Sequence, residues 1–297
     1  MTSRAASPGR IRAPARPRPE VSGRLLIAGC GDLGVRLAGR LPDRWQVTGL
    51  RRSVERLPDS LEPFAADLSD PASLSGLPRD WDAVIYTATP DARDEAAYQR
   101  TYLDGFRHLV DHVRADRLLF VSSTAVYGQD AGEWVDEDAE TAPQRFNGQV
   151  LLQAEALARN AGGCVLRFSG IYGPGREALI ERVRSGPVAC RREPPIWTNR
   201  IHADDCAAAL AHLLHLADPD PVYLASDDAP TPRWEVLSWL AERLDAPGPQ
   251  PEPDHSHDSE APARQGKRVS AARLKATGFA LQYPDFRSGY EALLACD

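Results

Sequence analysis

The first apolar run in the chain is Leu25-Leu26-Ile27-Ala28, and Gly29-Cys30-Gly31-Asp32-Leu33-Gly34 follows it without a gap. Beyond the glycines, Val35, Leu37, Ala38 and Leu41 recur at spacings that suit one face of a helix. The pattern predicts strand, glycine turn, helix. Further strands are expected at Trp45–Leu50, Phe64–Leu68, Trp81–Ala88, Leu118–Val121 and Gly163–Phe168. Between them, Pro71–Leu77 reads as a brief helix or turn. Ala97–Val113 reads as a helix with Tyr98, Tyr102, Phe106, Leu109 and Val113 on one stripe, and Asn147–Arg159 as another helix. Strands alternating with helices imply an α/β fold, a Rossmann-type, doubly wound and mostly parallel sheet with right-handed crossovers.

From Ser169 the pattern changes to a Gly/Pro-punctuated loop, SGIYGPGRE, and Arg191–Pro195 is charged and proline-broken. Ile196–Ala203 reads as extended, Asp205–Leu216 as an alanine-rich helix and Pro221–Ala225 as a strand. Pro232–Leu244 is an amphipathic helix carrying Trp234, Leu237, Leu240 and Leu244. Asp245–Ala263 is Pro/His/acid-rich and is expected to be a mobile loop. Lys267–Ala295 holds a short helix and the aromatic run GFALQYPDF. The expected organisation is a disordered tail over 1–20, a Rossmann domain over 21–170 completed by about 196–225, and a small C-terminal lobe from 171–195 and 226–297.

Composition narrows the class. A chain of 297 residues with 42% hydrophobic and 26% charged residues can bury a real core. A net charge of −7 argues against a nucleic-acid partner. Five widely spaced cysteines without a C-x-x-C fit reduced thiols better than a disulfide framework. No apolar stretch approaches the roughly 20 residues of a membrane span, and the N-terminus lacks a secretory apolar segment. A cytoplasmic protein without a membrane partner is expected. The His255-Ser256-His257-Asp258 cluster lacks an ordered ligand spacing, so no metal is expected there.

The glycine turn supplies the candidate chemistry. Gly29 permits the tight turn, Gly31 leaves room for a pyrophosphate against the backbone, and Gly34 lets helix and strand pack closely. Amide N–H groups and the helix dipole then face the phosphates. Past the second strand, where an acidic residue would bind a ribose 2′-hydroxyl, stand Arg51, Arg52 and Ser53. Guanidinium forks match phosphate oxygens, which favours NADP over NAD; the alternative is a solvated turn. Ser122, Ser123 and Thr124 leave the fifth strand at the edge where open parallel sheets bind ligands; the alternative is that these hydroxyls cap a turn.

GCGDLG, Asp67-Leu68, YTATP, VSSTAVYG, LRFSGIYGPGR and NRIHADDCA, in that order, resemble the extended short-chain dehydrogenase/reductases, the NAD-dependent epimerase/dehydratase superfamily. The resemblance implies that the glycine turn holds the pyrophosphate, that Asp67 and Leu68 contact adenine, and that Thr87, Ala88, Thr89 and Ser122 line the cofactor. It implies a substrate site built from the IYGPG loop and the C-terminal third, and a homodimer. His202 is expected to be structural or pocket-lining, with Asp204 and Asp205 starting the following helix. The family's catalytic set is Ser/Thr with Tyr-x-x-x-Lys, and the hydroxyl residue falls at Ser123. Counting back from Glu155 puts the tyrosine at Asn147 and the lysine at Leu151. An amide does not titrate, and leucine offers neither charge nor donor. The chain's only lysines are Lys267 and Lys275. It therefore resembles an atypical branch, in which Lys267 and Arg268 are candidates for the missing cation. Tyr127, Tyr172 or Lys267 are candidates for the missing donor. Two functions follow: an NADP-dependent oxidoreductase or epimerase-like enzyme acting on a small polar or nucleotide-sugar substrate, or a catalytically silent cofactor-binding sensor.

Overall fold

The computed structural model describes residues 23–252 and 264–295. The expected tail, the His255–Asp258 cluster and Cys296 lie outside the described residues. Seven strands form one parallel sheet: β1 (Gly23–Ala28), β2 (Trp45–Arg51), β3 (Glu62–Ala65), β4 (Asp80–Tyr86), β5 (Arg114–Ser123), β6 (Cys164–Phe168) and β7 (Val222–Ala225). Their order is β7-β6-β5-β4-β1-β2-β3, with every neighbouring pair parallel. The Rossmann-type sheet read from the sequence is the one found. Strand order reverses at β1, between β2 and β4, which opens a crevice beyond their carboxyl ends.

The continuous apolar run in β1 has a simple cause: both faces of the sheet are covered. Leu25 and Ile27 enter one core with Leu37 of helix α1 (Asp32–Ala38) and with Leu210 and Leu213. Leu26 and Ala28 enter the other, with Phe106, Leu109, Ala154 and Ala158. All four β1 residues are fully buried.

Strand and helix limits differ from the sequence pattern in instructive places. The third strand covers Glu62–Ala65, so Asp67 and Leu68 lie on the loop past it rather than in it. The fifth strand is longer at both ends and finishes at Ser123. The helix expected from Ala97 starts at Glu95, where the Asp94 carboxylate accepts from the Ala97 amide. It is also not one α-helix: α2 is helical over Glu95–Tyr98, π-helical over Gln99–Gly105 and α-helical again over Phe106–His112. The Tyr86 hydroxyl donates to the Thr101 carbonyl, drawing it away from the regular ladder.

Helix α3 (Phe146–Asn160) crosses behind β5, and the segment expected to be extended splits into Trp197–Thr198 and Arg200–His202. Helix α5 (Ala203–His215) follows, capped by His202 itself, whose Nδ1 accepts from the Asp204 amide. Asp204 and Asp205 occupy its first turn. The C-terminal lobe packs α4 (Ala178–Arg184), α6 (Arg233–Arg243) and α8 (Phe286–Leu294) around Ile180, Val183, Leu240 and Phe286. The tail holds two helices rather than one, since α7 (Ala272–Ala276) precedes α8. The short strand Gly266–Val269 pairs in parallel with Ala131–Val135 and so returns the tail to the loops beyond β5. Among the described residues no helix is long and apolar enough to cross a membrane, and no group of three or more His, Cys, Asp or Glu side chains could hold a metal.

Candidate functional site

The three glycines after β1 perform three different tasks. Gly29 has φ +78°, and a Cβ there would lie 2.3 Å from the Ala88 backbone. Its amide and that of Cys30 both donate to the Leu50 carbonyl at 2.9 Å, so β2 holds the turn. Gly34 lies against Ile27 and Cys30, with 2.8 and 2.9 Å to a built Cβ. Gly31 is the open one: its Cβ position meets only the Gly29 carbonyl, at 3.9 Å. The first helical bond of α1 is donated by Val35 to the Gly31 carbonyl, so the N–H groups of Asp32, Leu33 and Gly34 precede the ladder. Thr87 donates to the Gly29 carbonyl at 3.0 Å and supports the turn from beneath. The Cys30 thiol points into the core, and burial pushes its pKa up to about 11.

A cavity of about 440 Å³ opens beyond the turn. Of the residues expected at a cofactor, Gly29, Cys30, Gly31, Arg51, Arg52, Ser53, Asp67, Leu68, Ala88 and Thr89 line it. Asp32, Leu33, Gly34, Thr87 and Ser122 do not: the first four belong to the turn, the start of α1 or the support beneath the turn, and Ser122 lies at the end of β5, turned to Glu155. The sequence reading missed Ser69, Asp91, Arg100 and Thr101, which line it too. The last two enter through the π-helical segment, which an uninterrupted hydrophobic stripe conceals.

Four of the charged groups in this cavity, Arg51, Arg52, Asp67 and Asp91, are already engaged. Arg51 donates to the Cys30 carbonyl at 3.2 Å. Arg52 makes a two-pronged pair with Asp91, at 2.8 and 2.7 Å, and the guanidinium holds the Asp91 carboxyl below the usual range. Asp67 accepts from the Ser69 hydroxyl at 2.7 Å and amide at 2.9 Å, which lowers its pKa. On the rim, Asp32 accepts from Arg36 at 2.8 Å and from Arg176 at 3.2 Å. Arg36 also reaches Asp204 and the Pro174 carbonyl, both at 2.9 Å. Both ends of α1 are thereby tied down, Asp32 and Arg36 to the GPGR loop and Arg36 to α5.

Further along the carboxyl edge, Ser122 donates to Glu155 at 2.6 Å, and Arg167 pairs with Glu155 through two bonds of 2.9 and 2.6 Å. The Tyr127 hydroxyl accepts from Arg167 at 2.6 Å and donates to the Asp136 carbonyl at 2.7 Å. Burial pushes the Tyr127 pKa up to about 12. Ser123 is half-buried, and its Oγ accepts from the Ala125 amide at 3.2 Å. Gly148 lets α3 approach this loop, since a Cβ there would lie 2.3 Å from the Ala125 carbonyl. Its neighbours in α3 include half-buried Asn147 and fully packed Leu151, beside Val126, Val135 and Val269. Tyr172 is buried in the lobe, and desolvation raises its pKa well above the ordinary value.

The NAD dependent epimerase/dehydratase family model matches residues 25–224. The chain belongs to that family. It is 31% identical to protein YeeZ of Escherichia coli (strain K12) over 281 residues, 88% of this chain and 97% of that one. The solved structure of a putative NAD-dependent epimerase/dehydratase from Methylobacillus flagellatus is 37% identical, with a TM-score of 0.78 over 93% of this chain and 99% of that one. A UDP-glucuronic acid 4-epimerase from Bacillus cereus, solved with NAD, shares the fold at 16% identity, with a TM-score of 0.73 over 91% and 96%.

Within this epimerase/dehydratase fold, the structure sorts the candidate donors by availability. Tyr127 has its hydroxyl engaged on both sides. Lys267 is half-buried and donates to the Tyr127 carbonyl at 3.1 Å, four residues past Ser123. Arg268, on the opposite face of its strand, donates to the Gly132 carbonyl at 2.8 Å and stacks between Trp134 and Trp197. His202 caps α5, and burial lowers its pKa.

Proposed function

We propose that this family member binds NADP(H) in preference to NAD(H) and acts as an oxidoreductase or epimerase-like enzyme on a small polar or nucleotide-sugar substrate. The observation that carries the reading is convergence: the open Gly31 position and Arg51, Arg52 and Ser53 all face one cavity. A volume of about 440 Å³ suits the adenosine-phosphate half of a dinucleotide. The bound nicotinamide would supply a hydride acceptor or donor. The chain's own residues supply binding and proton handling. Ser123, at the end of β5, is the group we assign to the reacting oxygen, and Lys267 the cation nearest that loop. In our reading Asn147 and Leu151 occupy the family's tyrosine and lysine positions and neither can pass a proton.

The buried, apolar setting of Leu151 favours a second reading, a silent protein that binds cofactor without turnover. Titration of the purified chain with NADPH and NADH, followed by tryptophan fluorescence, tests the first half of the proposal. Tight NADPH and weak NADH binding is expected; equal binding removes the arginine argument, and no binding removes the reading. Substrate-dependent NADPH oxidation that Ser123→Ala reduces separates enzyme from sensor.

A further inference from the structure

The two arginines after β2 are not equivalent. Arg51 folds back on a neutral acceptor, the Cys30 carbonyl. Arg52 reaches across the cavity to a full negative charge on the loop after β4, in the bidentate geometry a phosphate would also demand. Both partners of this pair are largely exposed, at 58% and 68%, and both line the cavity. Asp91 thus presents to Arg52 two oxygens in the arrangement of a ribose 2′-phosphate.

We infer that Asp91 competes with the 2′-phosphate of NADP(H) for Arg52, and so sets how strongly this protein prefers NADP(H) over NAD(H). The inference rests on the cofactor reading above. With NAD(H) the Arg52–Asp91 pair stays closed beside the adenosine, joining the ends of β2 and β4. With NADP(H) the pair opens: Arg52 turns to the phosphate, and the like charges of phosphate and Asp91 carboxylate repel. Arg100, brought to the same cavity by the π-helical segment, is close enough to attract the Asp91 carboxylate and offers it a second cation. Asp91 is in this sense a built-in brake on NADP(H) affinity rather than part of the platform that holds the cofactor.

The test is calorimetric titration of wild type, Asp91→Asn, Arg52→Gln and the double variant with NADPH, NADH, 2′,5′-ADP and 5′-AMP. An exposed ion pair corresponds to a factor of about two to five in binding. Asp91→Asn is therefore expected to tighten NADPH and 2′,5′-ADP by about two- to fivefold while leaving NADH and 5′-AMP unmoved. Arg52→Gln should abolish that gain. An equal shift for both cofactors, or no shift, overturns the competition while leaving the cofactor reading standing. A gain that survives in the Arg52→Gln background also overturns it, since the effect would then be general charge removal. If wild type binds none of the four ligands, the cofactor reading falls and the inference with it.

Discussion

The amino group of Lys267 donates to the main-chain carbonyl of Tyr127 at 3.1 Å, across 140 residues of sequence. Parallel pairing of Gly266–Val269 with Ala131–Val135 sets this contact, and it leaves the ammonium half-buried. Desolvation lowers its pKa, opposed in part by the Asp130 and Glu133 carboxylates. A lysine in that state gives up its proton more readily than an exposed one, as a proton-transfer group should. Because the chain has two lysines, reductive ¹³C-methylation gives a sparse NMR spectrum, and Lys275→Arg assigns it. The Lys267 signal is expected to titrate below the ordinary value of about 10.4, and lower still in Asp130→Asn. Titration at the ordinary value would show a solvated ammonium and remove the case for Lys267.

The three turn glycines should respond differently to alanine. Gly31→Ala places its methyl in open space, so thermal stability should hold while NADPH affinity falls by about tenfold or more. Gly34→Ala drives a methyl to 2.8 Å from Ile27 and 2.9 Å from Cys30 and should cost about 1–3 kcal/mol of stability. Gly29→Ala combines a positive φ with a clash against the Ala88 backbone and should be the least stable of the three. Paired melting and cofactor titration of each variant checks the order; equal melting losses for Gly31→Ala and Gly34→Ala would contradict it.

Where the sequence spoke clearly, a single element carried its own signal. The run Leu25–Ala28 had to be a buried strand because both its faces are apolar, and the glycines after it could only serve a turn. What stayed hidden depends on contacts between elements far apart in the chain. Tyr98, Tyr102 and Phe106 keep a helical stripe whether the turn between them is α or π, and the perturbing group, Tyr86, comes from β4. Asp91 follows β4 in an ordinary polar loop, and only the sheet order brings it opposite Arg52. The register that located Asn147 and Leu151 began from Glu155, which the structure shows to be a fully buried anchor for Arg167.

That anchor is itself testable. Glu155 is fully buried, and its Oε1 and Oε2 accept from Ser122 and both prongs of Arg167. Removing one partner of such a pair strands the other charge in the core and should cost about 3–5 kcal/mol. Glu155→Gln and Arg167→Met should each lower the urea midpoint by that equivalent. The combination of Glu155→Gln with Arg167→Met should cost less than the two single losses added together, because neither charge is then left alone. Additive losses in the urea series would mean the pair is not acting as one unit.

Asp227 gives the protein a stability term that weakens as pH rises. It is 1% exposed at the carboxyl end of β7, and its two oxygens find no well-formed hydrogen bond among the described residues. Burial pushes its pKa up to about 7, with the Arg200 guanidinium and the Ala229 amide opposing only in part. In the unfolded chain the carboxyl ionises near 3.9. Between about pH 4 and pH 7 the native state therefore keeps a proton that the unfolded state has lost, so stability falls with rising pH across that window and levels off above it. The upper limit of the loss is roughly 4 kcal/mol. Asp227→Asn removes the titration without changing the side chain's size. The stability difference between wild type and variant, from urea unfolding at several pH values, should move against wild type from pH 4 to 7 and then stay level. A difference that does not vary with pH would show that Asp227 ionises in the fold as it does in water, with Arg200 fully compensating its burial.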